Sequence, residues 1–142
     1  MKFKDLEAQM RKYEDSRVVS NLLPDVYVVV RLDGKGFTKW TATQNFEKPF
    51  DDAFNFCMTR TTGFLAGCMD FNVVYGYTQS DEISLLLNSN NIPFNGKERK
   101  INSVLAGAAS AMFSRLAECV CIFDCRTIVL PNKERVVDYF QW

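Results

Sequence analysis

A chain of 142 residues, 47% of them hydrophobic, is long enough to form one globular domain with its own core. Lysine plus arginine and aspartate plus glutamate number 17 each, so the net charge is zero, which excludes nucleic-acid binding through overall positive charge alone. The sequence contains no histidine, which excludes histidine-based catalytic triads and most zinc sites.

The composition favours a reduced compartment. Five cysteines show no C-x-x-C spacing, and three of them lie in one apolar stretch, which is typical of buried structural thiols. No apolar run approaches the ~18 residues that a membrane span requires. We therefore expect a cytoplasmic protein with no membrane partner.

The first half of the chain predicts two helices and one strand. Apolar residues at helical spacing predict a helix over residues 3–16. A short β-branched run predicts a strand over residues 26–32. Residues 38–49 indicate an irregular connection, after which a proline, two acids and an apolar face predict a helix over residues 49–67.

The second half predicts a hairpin, a helix and a last strand. Strands are expected at 71–77 and 83–88, a tight connection at 79–82, and a turn-rich segment at 90–96. A second core-facing helix is expected at 101–116, a strand at 121–130, and a helical tail at 134–142.

The predicted order after the first helix is β-α-β-β-α-β, which indicates an α+β, ferredoxin-like domain. Its usual antiparallel sheet has the strand order 4-1-3-2, with the helices on one face and right-handed crossovers. In this arrangement the end of the first strand lies beside the start of the third. We therefore expect Asp33 to meet Asp81 and Glu82 at one edge of the sheet.

That edge has the residue types of a metal and phosphate site. Asp33 and Asp81 would provide two carboxylates and Gly34 a backbone carbonyl, which suffices for Mg²⁺ because this ion keeps several waters and shares substrate phosphates. The glycine-rich turn 34–38 offers unobstructed N–H groups for a triphosphate. Two metal ions there would activate an attacking hydroxyl and neutralise the leaving oxygen. The cations expected to meet the outer phosphates are Lys48, Lys97, Arg99 and Lys100.

Each of these motifs also has an ordinary structural interpretation. An Asp-Gly pair after a strand is usually a turn, and the segment 80–82 is typical of a polar hairpin tip. The charged run 97–100 is typical of a solvated helix face. Their joint placement at one edge favours metal-dependent phosphate chemistry.

Six segments spread from residue 31 to the last residue carry further information. They are Arg31–Phe37, Asn45–Asp51, Tyr77–Glu82, Gly96–Lys100, Phe123–Arg126 and Asp138–Trp142. In this order they resemble the blocks of the tRNA-histidine guanylyltransferase superfamily. The resemblance implies a palm domain like that of polymerases and nucleotide cyclases. It also implies a 3′–5′ nucleotidyltransferase that adds nucleotides to the 5′ end of tRNA.

The resemblance implies roles for individual residues. Asp33 and Asp81 match the two metal-binding aspartates, Gly34 the backbone-carbonyl ligand, and Glu82 the acidic residue beside the second aspartate. The implied cofactor is Mg²⁺ (two ions), the implied substrates are ATP, GTP and tRNA, and the implied assembly is a homo-oligomer, commonly a tetramer. The residues that fall where the family contacts nucleotide are Lys35, Gly36, Phe37, Thr38, Lys48, Ser80, Lys97 and Lys100.

Two departures from the family pattern matter. Thr38 stands where eukaryotic histidine-tRNA enzymes carry a histidine, which makes the chain similar to the Thg1-like branch that repairs truncated tRNA 5′ ends. The resemblance covers about the first half of a typical member, so we expect residues 1–142 to be a single palm-like catalytic domain without the family's C-terminal part. Two alternatives stay open: an RNA-independent nucleotide cyclase or synthase, and a nucleotide-binding module without turnover.

Overall fold

The computed structural model of the protein describes residues 2–15, 22, 25–37 and 52–142. Four strands and four α-helices are present in this part of the chain. In chain order they are α1 (Phe3–Asp15), β1 (Tyr27–Lys35), α2 (Asp52–Gly67), β2 (Val73–Gln79), β3 (Glu82–Leu87), α3 (Glu98–Ala117), β4 (Ile122–Leu130) and α4 (Lys133–Gln141).

The four strands form one antiparallel sheet in the order β2-β3-β1-β4. This confirms the predicted strand order. The central strand β1 pairs with β3 on one side and with β4 on the other. Residues of β1 can therefore face partners that lie far away in the sequence on both sides.

The core lies between α2, α3 and one face of the sheet. Side chains alternate along a strand, so Val28, Val30 and Leu32 of β1 point to this face and are fully buried. Helix α3 contributes Phe113, which is also fully buried. The predicted packing of the two domain helices on one face is confirmed, and it leaves the other face of the sheet, here called the open face, for polar residues.

Strand β1 is longer than predicted. The sequence indicated an end at residue 32, whereas the strand runs to Lys35 because Asp33 and Gly34 pair with β4. Asp33 therefore lies within a strand and not in the turn after it. The hairpin between β2 and β3 has a two-residue connection, Ser80 and Asp81, with Ser80 at a φ of 55°. The predicted start of α2 at residues 49–51 lies outside the described residues.

Helix α4 adds a second layer on the open face. Ser84 lies between Ile83 and Leu85, which both face the core, so its side chain points to the opposite face. The hydroxyl oxygens of Tyr139 and Ser84 are 2.8 Å apart, which joins α4 to this face. The open face is thus partly covered by α4.

Helix α1 confirms the predicted amphipathic first helix. Its apolar side chains are exposed: Phe3 is 80% accessible and Tyr13 62%. Among the helices that the structure describes, none is long and apolar enough to cross a membrane.

Candidate metal and nucleotide site

Three carboxylates lie side by side across three strands of the open face. Asp33 on β1 is directly opposite Glu82 on β3 and directly opposite Asp124 on β4. Partners in an antiparallel pair share a face, with Cα atoms about 4.5–5.5 Å apart. We call these three residues the acidic row. Like charges placed opposite each other destabilise a sheet, so the row needs compensating positive charge.

Two arginines in the next register position supply part of that charge. Arg31 on β1 is directly opposite Arg126 on β4. Arg31 forms an ion pair with Glu82, and its Nε lies 3.8 Å from Oδ1 of Asp33. Arg126 Nη2 lies 3.4 Å from Oδ2 of Asp33. Both oxygens of Asp33 therefore face a guanidinium group, and the hydrogen bond to Glu82 is the main cause that raises the pKa of Arg31.

Asp81 is held next to this cluster by the backbone. The N–H of Gly34 donates a hydrogen bond to the carbonyl of Asp81, at 2.9 Å, across the start of the β1–β3 ladder. Burial raises the pKa of Asp33 and of Asp81, and the negative charge of Glu82 raises both further. The two carboxylates therefore belong to one electrostatic cluster in which ionisation is penalised.

This donor set fits a hard divalent cation. Asp33 and Asp81 offer carboxylate oxygens, and a cation would offset the cost of their partly buried negative charge. Within the described part of the chain, no three acidic or cysteine side chains are grouped so that they could hold a metal ion. The protein would therefore supply few ligands, which is how Mg²⁺ is usually bound, with water and substrate phosphates completing its shell.

Glycines 34 and 36 each have a structural reason. A Cβ at Gly34 would lie 2.7 Å from the ring of Phe37, and Gly36 has a φ of +72°, which favours glycine. The ring of Phe37 is buried, 5.0 Å from the ring of Phe113 and 5.0 Å from the ring of Phe123. The ring of Phe37 thus anchors the segment in the core, and the predicted nucleotide contact of Phe37 stays a prediction. The expectation of an unobstructed N–H at Gly34 is corrected, because this N–H donates to the carbonyl of Asp81.

Lys97 and Lys100 lie at the other end of the domain. Both are at the start of α3, whereas Phe113, near its end, packs against Phe37 at the same end of the sheet as the acidic row, on the core side. The thirteen helical steps from Lys100 to Phe113 span roughly 20 Å. The expectation that these lysines and Arg99 share one edge with the carboxylates is therefore wrong within a single chain. Lys100 instead places its Nζ 5.8 Å from the ring centre of Phe94.

The remaining predicted nucleotide-binding residues divide into two groups. Lys35, at the end of β1, and Ser80, in the hairpin turn, are exposed at the same end of the sheet as the acidic row. Thr38 and Lys48 lie outside the described residues. Their predicted roles stay predictions.

The candidate site contains residues that the sequence-based assignment left out. Asp124, Arg126 and Arg31 complete the charged surface around Asp33. The sequence does contain a pattern that could have indicated them, namely the triplet Arg-x-Asp at 31–33 and its reverse, Asp-x-Arg, at 124–126. Residues two apart share one face of a strand, so antiparallel pairing brings like residues of these triplets together.

A cleft of about 410 Å³ lies between α4 and the open face, beside the acidic row. Its polar lining includes Arg31, Gln79 and Glu82, and its aromatic lining includes Tyr77, Phe140 and Trp142. Glu82 belongs to both the acidic row and the cleft. A ligand in the cleft would therefore lie next to the carboxylates.

Residues 7–131 match the family model described as tRNAHis guanylyltransferase (Thg1). The chain belongs to this family. It is 34% identical over 134 residues to the tRNA(His) guanylyltransferase of Debaryomyces hansenii, covering 85% of this chain and 49% of that protein. It is 31% identical over 132 residues to a probable tRNA(His) guanylyltransferase of Drosophila melanogaster, covering 86% of this chain and 45% of that protein. The chain thus spans about half the length of these curated relatives.

Solved structures of the family have the same fold. A bacterial Thg1-like protein in complex with GTP is 32% identical, with a TM-score of 0.85, over 97% of this chain and 64% of that one. A bacterial Thg1-like protein in complex with ATP is 30% identical, also with a TM-score of 0.85, over 96% and 64%. These neighbours confirm the α+β palm predicted for this Thg1-family chain.

Proposed function

We propose that this chain is the catalytic palm of a 3′–5′ nucleotidyltransferase that adds nucleotides to the 5′ end of tRNA. The observation that carries the proposal is the hydrogen bond from Gly34 to Asp81, which sets Asp81 beside Asp33 and the acidic row. Family membership and the nucleotide complexes of the structural neighbours support it.

Asp33 and Asp81, with the carbonyl of Gly34, are the proposed ligands of Mg²⁺, and two ions are proposed. When bound, the metal supplies positive charge that activates an attacking hydroxyl and stabilises the leaving oxygen. Arg31 and Arg126 contact Asp33 in the described structure. With the aspartate charge neutralised, both guanidinium groups would face phosphate oxygens, for which arginine has a matching bidentate geometry.

The proposed reaction has two steps. The 5′-monophosphate of the tRNA first attacks the α-phosphorus of ATP, so that a new P–O–P bond forms and pyrophosphate leaves. The 3′-hydroxyl of the incoming nucleotide then attacks the activated 5′ phosphorus, and AMP leaves. Arg31 and Arg126 would orient the phosphate groups at the acidic row in both steps. We also propose that the chain acts in repair of truncated tRNA 5′ ends, in the cytoplasm and as part of a tetramer.

The test uses 5′-monophosphorylated tRNA lacking its first nucleotide, incubated with the chain, ATP, GTP and Mg²⁺, and followed on a gel. We expect extension at the 5′ end that is lost in Asp33→Ala and in Asp81→Ala and after chelation with EDTA. Glu98→Ala, at the far end of α3, is the matched control and should retain extension. Extension that persists in Asp33→Ala, or Mg²⁺-dependent nucleotide binding without pyrophosphate release, would contradict the proposal.

A further inference from the structure

The cleft between α4 and the open face has a fixed aromatic side. The ring of Phe140 packs edge-on against Tyr75, with centres 4.9 Å apart, and against Tyr139 at 5.0 Å. Tyr139 is in turn joined to the sheet through Ser84. Trp142 is 87% exposed, and its ring lies 5.5 Å from the guanidinium carbon of Arg31. These contacts orient flat apolar surfaces beside a cation without covering them.

The opposite lining of the cleft offers hydrogen-bonding groups. Arg31 provides donors, Glu82 provides carboxylate oxygens, and Gln79 provides an amide that both donates and accepts. Among the described residues, the Nε of Arg31 is buried and has no hydrogen-bond partner within bonding distance. Because this Nε faces Asp33, at 3.8 Å from its Oδ1, a ligand in the cleft would meet only the part of the guanidinium group that lines the cleft.

We propose that this cleft holds a nucleobase, that of the 5′-terminal nucleotide of an RNA strand. A base has two π-faces for stacking on aromatic rings or an arginine plane, and an edge of donors and acceptors for polar side chains. An apolar protein segment would instead remove the Arg31–Glu82 ion pair from water without adding hydrogen bonds to it, which is costly. The inference rests on the proposed function in one respect, that nucleotides are the ligands.

The position of the cleft explains why the terminal base is expected there. Glu82 lines the cleft and is directly opposite Asp33 in the sheet. A nucleotide whose base occupied the cleft could therefore place its phosphate at the edge of the acidic row, where Arg31 and Arg126 offer hydrogen-bond donors. The incoming nucleoside triphosphate also carries a nucleobase. The experiment below therefore distinguishes a base of the RNA strand from the base of a free triphosphate.

The chain has two tryptophans, so Trp40→Phe leaves Trp142 as the sole tryptophan, whose fluorescence can be excited selectively at 295 nm. This variant is titrated in EDTA with a short 5′-phosphorylated RNA, with the same RNA carrying an abasic 5′ residue, and with GTP alone. We expect quenching by the intact RNA and a Kd about tenfold weaker for the abasic RNA, equal to about 1.4 kcal/mol. Quenching by GTP as tight as that by RNA would overturn the assignment to the RNA strand, and equal Kd values for intact and abasic RNA would overturn the base site.

A second measurement follows binding of labelled RNA to the otherwise unaltered chain by fluorescence anisotropy. Trp142→Ala should weaken binding about tenfold, and Trp142→Phe should restore most of it. Phe56→Ala is the matched control, since Phe56 is also an exposed aromatic residue with a guanidinium, that of Arg60, 5.3 Å from its ring. Both measurements are made without the metal, so they do not depend on catalysis. A chain that recognises the base but does not extend the 5′ end would contradict the proposed function alone. A chain that extends the 5′ end but does not recognise the base would contradict only the cleft proposal.

Discussion

Asp33 and Asp124 are direct partners in the β1–β4 ladder, so two carboxylates lie on directly opposed residues of neighbouring strands. Glu82 continues the acidic row on the other side of Asp33. Sheets with ordinary surfaces avoid such rows because the charges repel. Arg31 and Arg126 offset part of this cost, and under the proposed function a bound cation would offset more of it.

Removing one charge of the row should stabilise the metal-free chain. For Asp124→Asn we expect the free energy of unfolding in EDTA to rise by up to about 0.5 kcal/mol, because repulsion from Asp33 is removed. The gain should shrink in high salt, which screens charges at exposed positions. Urea unfolding of both forms measures it, with Glu14→Gln on exposed helix α1 as the control. A loss of stability in Asp124→Asn would show that the repulsion is already cancelled.

The raised pKa of Asp81 predicts a pH-dependent effect. Burial penalises the ionised carboxylate, so the penalty is absent below the ordinary pKa of 3.8 and is complete above the raised pKa of the folded state. Asp81→Asn should therefore raise the thermal unfolding midpoint in EDTA at pH 7, and the gain should fall as the pH approaches 4. Added Mg²⁺ should stabilise the unaltered chain more than the variant. Calorimetry that shows the same gain at every pH would exclude burial of charge as the cause.

Gly34→Ala should destabilise the fold by about 1–3 kcal/mol, the usual cost of overpacking. The added Cβ would lie 2.7 Å from the buried Phe37 ring, so one of them must move. Gly107→Ala is the matched control, since nothing lies within 4 Å of its Cβ position in α3, and alanine in a helix should stabilise by about 0.5–1 kcal/mol. Chemical denaturation of the two variants should give shifts of opposite sign.

The cysteines should differ in their rate of alkylation. Burial is the main cause that raises the pKa of Cys121 and of Cys125 to about 12, so both are protonated at pH 8 and poorly nucleophilic. Cys68 is exposed and Cys57 is buried. Iodoacetamide followed by peptide mass spectrometry should show Cys68 modified well before Cys57, Cys121 and Cys125. Rapid modification of Cys121 in the folded chain would contradict its burial.

Much of the fold was predictable because the apolar pattern is regular. The β-branched run of β1 and the apolar faces of α2 and α3 led to the strand order and hence to the meeting of Asp33 with Glu82. The true end of β1 was not predictable, because Asp33 and Gly34 have poor strand propensity and are held in the strand by pairing with β4.

The error over Lys97 and Lys100 has a geometric origin. Strand β3 starts at the acidic row and leads away from it, so the helix that follows must begin at the far end of the sheet. The side occupied by α4 was not predictable for a different reason. Val29 is fully buried on the open face while Val28 is buried on the helix side, so both faces of β1 are suited to packing.

The pairing of β1 with two distant strands also sets the order in which the site can assemble during folding. The ion pairs of Arg31 with Glu82 and of Arg126 with Asp33 join residues 51 and 93 positions apart. Contacts of such long range close large loops and form late and slowly compared with local helix contacts. The charged surface around Asp33 is therefore complete only when β4 has docked, and a partly folded chain without β4 would lack the contact between Arg126 and Asp33.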